Sequence, residues 1–389
     1  MRYAARPAAF VSPFAASSKP MTHNGPTQTG TNGLEPMCLG LFDIMQLDPV
    51  LRLDPAAMYR GRLDNLALVD ELGFDVAFVA ERHYLANYAC PSATAWVAAA
   101  AARTERMRLG VLAYTLPIRA PVQLAEEIAM LDQLSGGRLE VGVGLGHRVE
   151  ELVALGVDPA RRIPIYQERL ALLQALWSGG VVSFERPDVA VRDVAIHPLP
   201  VQAPHPPLWH AGTEPVGAHW AGGHGMGLAV GFAPTTKLQP AITAYIAGRG
   251  ARSHDVRSTE PPRPTGTLAL MRHVYVADSD ARARREVVDD LVRLGALHSS
   301  VKEGSRTDRR AEAEERFAAM RRDEVMIAGG PESVADAVKA ARAALRIDLF
   351  LANVYAAGVE PERVRRTLRL LAGEVKPRLV VEENVTVGG

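Results

Sequence analysis

Residues 76–84 read VAFVAERHY, an apolar run that breaks off in a glutamate, an arginine, a histidine and a tyrosine. Of these, His83 is the side chain suited to proton transfer, because an unperturbed histidine titrates around pH 6.5. Arg82 holds its proton too tightly to be a base and is suited to anchoring an acidic group. Neighbouring residues of a strand face opposite sides, so the two serve one site only if the chain turns after Glu81. The plainer reading of His83 is a core histidine held by a hydrogen bond.

A second candidate is VGVGLGH, residues 141–147. A dinucleotide fingerprint needs G-x-G-x-x-G, and after Gly142 and Gly144 the required third place holds His147, so that reading fails. What remains is a strand ending in Gly142, Gly144 and Gly146, where missing side chains let a flat ligand or another backbone come close. The plainer reading is barrel packing or a turn. Tyr84, Tyr88, Tyr114, Trp209, His210 and Phe232 stand at or near the ends of apolar runs. Together they suggest a substrate pocket, and each alone reads equally as core. His219 and Trp220 belong to a helix, while His197 and His205 lie in a proline-rich stretch without a partner. No Ser-His-Asp or paired-carboxylate spacing argues for a hydrolase, and no metal-ligand spacing occurs.

Such groups need elements to hold them. Eight short, nearly continuous apolar runs read as strands: 38–44, 76–80, 107–116, 138–146, 207–212, 227–232, 268–277 and 347–355. Runs of this kind suit parallel strands buried on both faces. Between them, apolar residues recur with helical spacing, as in Tyr166, Leu170, Leu173 and Trp177. Val334, Val338, Ala341 and Leu345 make a second stripe, and Val364, Leu368, Leu371 and Val375 a third. Pro331 and Pro361, each followed by glutamate, are helix starts. Strands alternating with helices point to an α/β fold, a (β/α)8 TIM barrel with insertions, with an open doubly wound sheet as the alternative. The insertions are 182–206, which has five prolines and no helical stripe, and 298–325, which is charged and helical in pattern.

The composition narrows the function. Lys plus Arg and Asp plus Glu both total 44, so no charge excess favours nucleic acid or an anionic membrane. The two cysteines, Cys38 and Cys90, make no disulfide framework, which fits a reducing cytoplasm. The longest small-residue run, AWVAAAAA at 95–102, is too short to span a bilayer. Residues 1–36 are rich in Pro, Ala, Ser, Thr and Gly and lack a sustained period. They are expected to be a disordered extension, or to precede a true start at Met21 or Met37. Pro7 and Pro13 interrupt the stretch a signal peptide would need. The barrel is expected over 37–380, with a tail over 381–389.

The string LDQLSGGRLEVGVGLG (131–146) is more specific than a helix end followed by a strand. With PVQLAEEIAMLDQLS before it, ERHY, PLWHAGTEPVGAHWA and GGPESVADAV, it resembles the bacterial-luciferase-like flavin monooxygenases, from about residue 37 to residue 380. That resemblance implies a luciferase-like (β/α)8 barrel, usually a homodimer. It also implies reduced FMN supplied by a separate flavin reductase, or a reduced deazaflavin, bound where the strands end. Leu112-Ala113 would lie beside the ring, at a peptide that is often cis in relatives. Gly144, Leu145 and Gly146 would line the flavin, and Arg162 would reach its phosphate. Two departures stand out. Relatives carry Glu-His-His where this chain has Glu81-Arg82-His83, which puts Arg82 on the catalytic histidine's place. Leu145 stands where relatives have arginine, and Gly212-Thr213-Glu214 where they have serine or glycine. Thr213 can hydrogen-bond a phosphate, Glu214 would repel one, and His147 and Arg148 can compensate. The expected activity is oxidation of a small-to-medium organic molecule, a secondary metabolite by family analogy, with His83 and Arg82 catalytic. The alternatives are deazaflavin-dependent hydride transfer, or a non-catalytic partner barrel with a degraded phosphate site.

Overall fold

The computed structural model describes residues 37–48, 51, 53–252, 268–298, 306–355 and 359–379. The extension expected over 1–36 and the tail over 381–389 lie outside the described residues. The strands are β1 (Cys38–Asp43), β2 (Val76–Val79), β3 (Arg108–Thr115), β4 (Leu139–Gly144), β5 (Val182–Arg186), β6 (Val189–Val194), β7 (Leu208–Ala211), β8 (Gly227–Gly231), β9 (Leu268–Val276), β10 (Met326–Gly329) and β11 (Leu349–Asn353). Pairing runs in parallel through β1, β2, β3, β4, β7 and β8, and β9 joins β8 to β11. Since β11 also pairs with β1, with Cys38 opposite Leu349, the ring closes on itself. These eight strands coincide with the eight runs expected from the sequence, and the closure excludes the open sheet.

The helices include α1 (Pro55–Glu71), α2 (Ala93–Ala101), α3 (Pro121–Ser135), α4 (Val149–Ala154), α5 (Arg162–Trp177), α6 (Pro215–Gly223), α7 (Thr235–Arg252), α8 (Asp280–His298), α9 (Arg306–Arg322), α10 (Pro331–Leu345) and α11 (Pro361–Leu370). The three helical stripes are the faces of α5, α10 and α11, and the last continues into a π-helical turn over Leu371–Val375. Two features differ from expectation. The 182–206 insertion contains an antiparallel hairpin, β5–β6, whose Val182, Phe184, Val189 and Val191 pack against the core. A ninth parallel strand, β10, pairs with the overhanging end of β9, with Met326 opposite His273. The charged insertion is helical, as α9, and packs against α8.

Two apolar layers result. Inside the barrel lie Phe42, Val76, Phe78, Leu112, Trp209, Met271, Leu349 and Leu351. A larger layer lies between strands and helices, with Leu41, Val79, Val111, Val143, Val230 and Phe350 facing the helix stripes. The interior is narrow: a Cβ on Gly142 would sit 2.3 Å from the Val111 carbonyl oxygen. Only glycine lets β4 approach β3 there.

The LDQLSGGR string closes the end of the barrel where strands begin. Gly136 caps α3 in the left-handed conformation, φ 63°. Asp132, fully buried, accepts hydrogen bonds from the Gln202 backbone N–H at 2.8 Å and its side-chain amide at 2.7 Å. Arg138 donates to the Ser135 carbonyl at 2.8 Å, the Met107 carbonyl at 2.8 Å, and the Thr104 hydroxyl and carbonyl at 2.9 Å each. One guanidinium thus satisfies the loose carbonyls between α2 and β3 and at the end of α3.

Candidate active site

Barrel enzymes carry their chemistry where the parallel strands end. At the end of β2 the chain leaves the sheet after Val79, so strand alternation no longer dictates where Arg82 and His83 point. The Arg82 backbone N–H donates to the Cys90 carbonyl at 2.9 Å, and its guanidinium donates to the Glu81 carbonyl at 3.0 Å. Burial depresses the Arg82 pKa, while Tyr88 and Glu151 pull it the other way. His83 Nε2 lies 3.3 Å from a carboxylate oxygen of Glu81, whose side chain is wholly buried. Neither of the two facing atoms has an aligned hydrogen bond, so the contact is an ion-pair approach. The Glu81 carboxylate raises the His83 pKa, and burial opposes it.

On the neighbouring strand, the Leu112–Ala113 peptide is cis. Leu112 faces the barrel interior, and a Cβ on Gly144 would meet the Ala113 Cβ at 3.5 Å. Two of the smallest residues therefore face each other at the ends of β3 and β4. Gly146, φ 75°, turns the chain away from β4; Leu145 is half-buried and packs against the outer layer. His147 is depressed in pKa by burial and by the charges of Arg82 and Arg148. A guanidinium nitrogen of Arg148 is buried and has no hydrogen-bond partner.

The other expected residues divide. Phe232 stands at the mouth, its ring 6.0 Å from Phe42 and 4.7 Å from His273. Tyr114 and His210, expected in the substrate pocket, belong to the opposite side of the sheet. A register shift between Val111 and Tyr114 turns the tyrosine outward, where its hydroxyl lies 3.3 Å from that of Thr94 on α2. His210 follows the inward-facing Trp209, so its ring points outward to the Tyr166 hydroxyl of α5, 3.2 Å from Nδ1. Burial pushes the His210 pKa down to about 4. Tyr84 is 70% exposed, at φ 55°. Arg162 bonds back to its own turn at the Pro159 carbonyl, 3.1 Å away. Gly212 is tied to β8 through the Ala229 carbonyl at 3.2 Å, whereas Thr213 is exposed and Glu214 is the exposed N-cap of α6.

Two mouth residues escaped the sequence reading. His273 shares its face with Ala269 and Met271 of the inner layer, and burial pushes its pKa down to about 4. Asn353 shares its face with Leu349 and Leu351; its amide nitrogen is buried without a partner. Counting by two along each strand from those interior residues would have found both. Among the described residues no group of three or more His, Cys, Asp or Glu is placed to hold a metal ion. No helix among them is long and apolar enough to cross a membrane.

A family model described as luciferase-like monooxygenase matches residues 44–348. The chain belongs to the luciferase-like monooxygenase family. Within it, the chain is 26% identical to 4-hydroxyprotoasukamycin monooxygenase of Streptomyces nodosus subsp. asukaensis over 351 residues, 89% of this chain and 93% of that protein. It is 35% identical to the F420-dependent glucose-6-phosphate dehydrogenase of Beutenbergia cavernae over 260 residues, 60% of this chain and 76% of that one. Its fold is similar to the crystal structure of a monooxygenase from Streptomyces bottropensis, with TM-score 0.73, 25% identity and 88% and 99% of the two chains covered. This luciferase-like barrel is thus an oxidoreductase, and its mouth combines an imidazole beside a carboxylate, an adjoining cationic cluster and an aromatic rim.

Proposed function

We propose that this protein is a flavin-dependent monooxygenase that uses reduced FMN and oxygen to oxidise a small-to-medium organic substrate. One observation carries the reading. Ala113 and Gly144 face each other across the ends of β3 and β4, the charges of Arg82 and Arg148 act on His147, and Phe42, Phe232 and His273 form an aromatic cluster. A flat ring needs a wall without side chains, and a phosphate tail needs unspent donors; the small pair supplies the first and the unpartnered Arg148 nitrogen the second. The residues therefore fit a flavin. Ala113, Gly144 and Gly146 would hold its ring, and Arg148 with His147 its anionic end; Arg162, bonded to its own turn, and Thr213, beside the exposed Glu214, are weaker donors to it. When bound, reduced flavin supplies the electrons for oxygen activation.

The chain's own residues supply positioning and a proton. Its raised pKa lets the His83 imidazole carry a proton to higher pH than a free histidine, so it can donate or hold one at the mouth. Arg82 offers a partly desolvated cation to an acidic substrate group. Phe42, Phe232 and the neutral His273 keep water from the apolar side. The reading includes a separate flavin reductase, a homodimer, a secondary-metabolite substrate and a cytoplasmic setting. The last is supported by Cys38 and Cys90, neither of which is in a disulfide, and the substrate class by the name of the Streptomyces nodosus relative.

A second reading, hydride transfer with a reduced deazaflavin, is favoured by the 35% identity to the F420-dependent dehydrogenase. The test is anaerobic titration of the purified protein with reduced FMN and with reduced deazaflavin, followed by stopped-flow mixing with oxygen. The first reading expects micromolar binding of FMN and a reoxidation rate that His83→Ala changes about tenfold or more, with folding unaltered. Deazaflavin binding alone selects the second reading. Binding of neither sinks both, and an unchanged rate in His83→Ala removes His83 from the chemistry.

A further inference from the structure

We propose that Glu81 is a positioning residue for His83, held in place by a polar chain that runs behind the barrel wall from α2 to α3. The inference rests on the reading of His83 as the proton-handling group and names what orients it. Where the resemblance implies Glu-His-His, this chain reads Glu81-Arg82-His83, so Arg82 replaces the first histidine and the remaining imidazole stands two residues from the carboxylate. They still meet, at 3.3 Å, because the chain has left the strand.

Glu81 is a poor choice for mere packing. Its side chain is wholly buried at the end of an apolar strand, where a carboxylate is costly without partners. One oxygen is provided for: it accepts from the Ala93 N–H at 3.3 Å, at the start of α2, and faces Arg119 at 3.7 Å. A helix N-terminus and a guanidinium both favour negative charge. Arg119 is fixed in turn by Glu127 of α3 at 2.6 Å, and Glu127 accepts from the Thr94 hydroxyl at 2.8 Å. Thr94 also lies 3.3 Å from the buried Tyr114 hydroxyl. The outward turn of Tyr114 thus completes the chain. The second Glu81 oxygen has no aligned hydrogen bond and lies 3.3 Å from the imidazole. The anchors meet one oxygen of the carboxylate and His83 meets the other, the arrangement of a group that orients a histidine.

The charges facing His83 are Glu81 on its own segment, Glu151 on α4, and Arg119 after β3. Glu81 and Glu151 favour the protonated ring, and Arg119 opposes it. Near Glu81 the buried Cys90 thiol and Tyr114 phenol are held neutral, their pKa values pushed up by burial. Two substitutions therefore act with opposite sign. Glu81→Gln removes the carboxylate charge at nearly constant shape, and Arg119→Gln removes the opposing cation.

The test uses the full chain without flavin, labelled with 13C at histidine Cε1, with the His83 signal assigned by its disappearance in His83→Asn. In Glu81→Gln the His83 titration midpoint moves toward acid, a roughly tenfold loss of proton affinity, as expected when an opposite charge within about 4–6 Å is removed. In Arg119→Gln it moves toward base. The pH profile of flavin reoxidation in the loaded protein moves with each. A merely structural glutamate would alter thermal stability and leave the midpoint alone. An unmoved midpoint in a folded Glu81→Gln, or shifts of the same sign in both variants, overturns the proposal. So does a shifted midpoint with an unshifted reoxidation profile. Loss of the functional reading itself shows separately, as His83→Ala reoxidising flavin at the wild-type rate.

Discussion

Lowering the pH should destabilise this protein through His210, well before its carboxylates titrate. His210 is 4% exposed, its Nδ1 lies 3.2 Å from the Tyr166 hydroxyl, and burial takes its pKa from 6.5 to about 4. The unfolded chain therefore binds a proton at this residue between pH 6.5 and 4 that the folded chain refuses. The stability it contributes is complete above pH 6.5 and is lost as the pH falls toward 4. At pH 5 the unfolded histidine is nearly all protonated and the folded one is about a tenth protonated. The ratio of the two binding polynomials corresponds to about 2 kcal/mol between pH 7 and pH 5. Urea unfolding of wild type and His210→Gln at both pH values isolates this. Glutamine keeps a partner for Tyr166 and does not titrate, and His273, with a pKa also near 4, cancels in the subtraction. The variant costs stability at pH 7, and the difference from wild type shrinks by about 2 kcal/mol at pH 5. A pH-independent difference would mean that His210 is hydrated in the folded protein, and the outward packing of this ring against α5 would be wrong.

Two further predictions concern the scaffold. Arg138→Met strips hydrogen bonds from the carbonyls of Met107, Thr104 and Ser135 and should cost about 3 kcal/mol in urea unfolding, with Arg138→Lys recovering part. A loss below about 1 kcal/mol would show that water replaces the guanidinium. Gly142→Ala places a methyl 2.3 Å from the Val111 carbonyl oxygen and should cost about 2 kcal/mol or more, or yield insoluble protein. A soluble variant as stable as wild type would refute the close approach of β4 to β3.

The barrel was legible because each of its eight strands is an apolar run set between helices with 3.6-residue stripes, a pattern that burial on both faces imposes. What was not legible has a physical reason in each case. Strand β10 is four residues long and among the described residues pairs only with the overhang of β9, so it has no run of its own to show. The β5–β6 hairpin does carry a period of two, in Val182, Phe184, Val189 and Val191, but the prolines around it weigh against strand. Tyr114 and His210 were both read as pocket residues because they sit at strand ends, yet the cases differ. The outward face of His210 follows from its place next to Trp209, whereas that of Tyr114 depends on a register shift that no local pattern announces.

The same distinction decides what family strings can say about a site. LDQLSGGR is the most specific signal in the chain, and its residues do no chemistry: Asp132 and Arg138 tie loops together where β4 begins. The mouth lies where β4 ends at Gly144, about 20 Å along a six-residue strand. A clamp that must satisfy several carbonyls at once constrains its residue types through fixed geometry, independently of the mouth. Arg82 in place of a histidine alters the string, yet Glu81 and His83 meet at 3.3 Å, since a chain released from its strand can bring an i, i+2 pair together. The mismatch at Arg82 therefore leaves the proposal for His83 resting on the carboxylate beside its ring rather than on its position in the string.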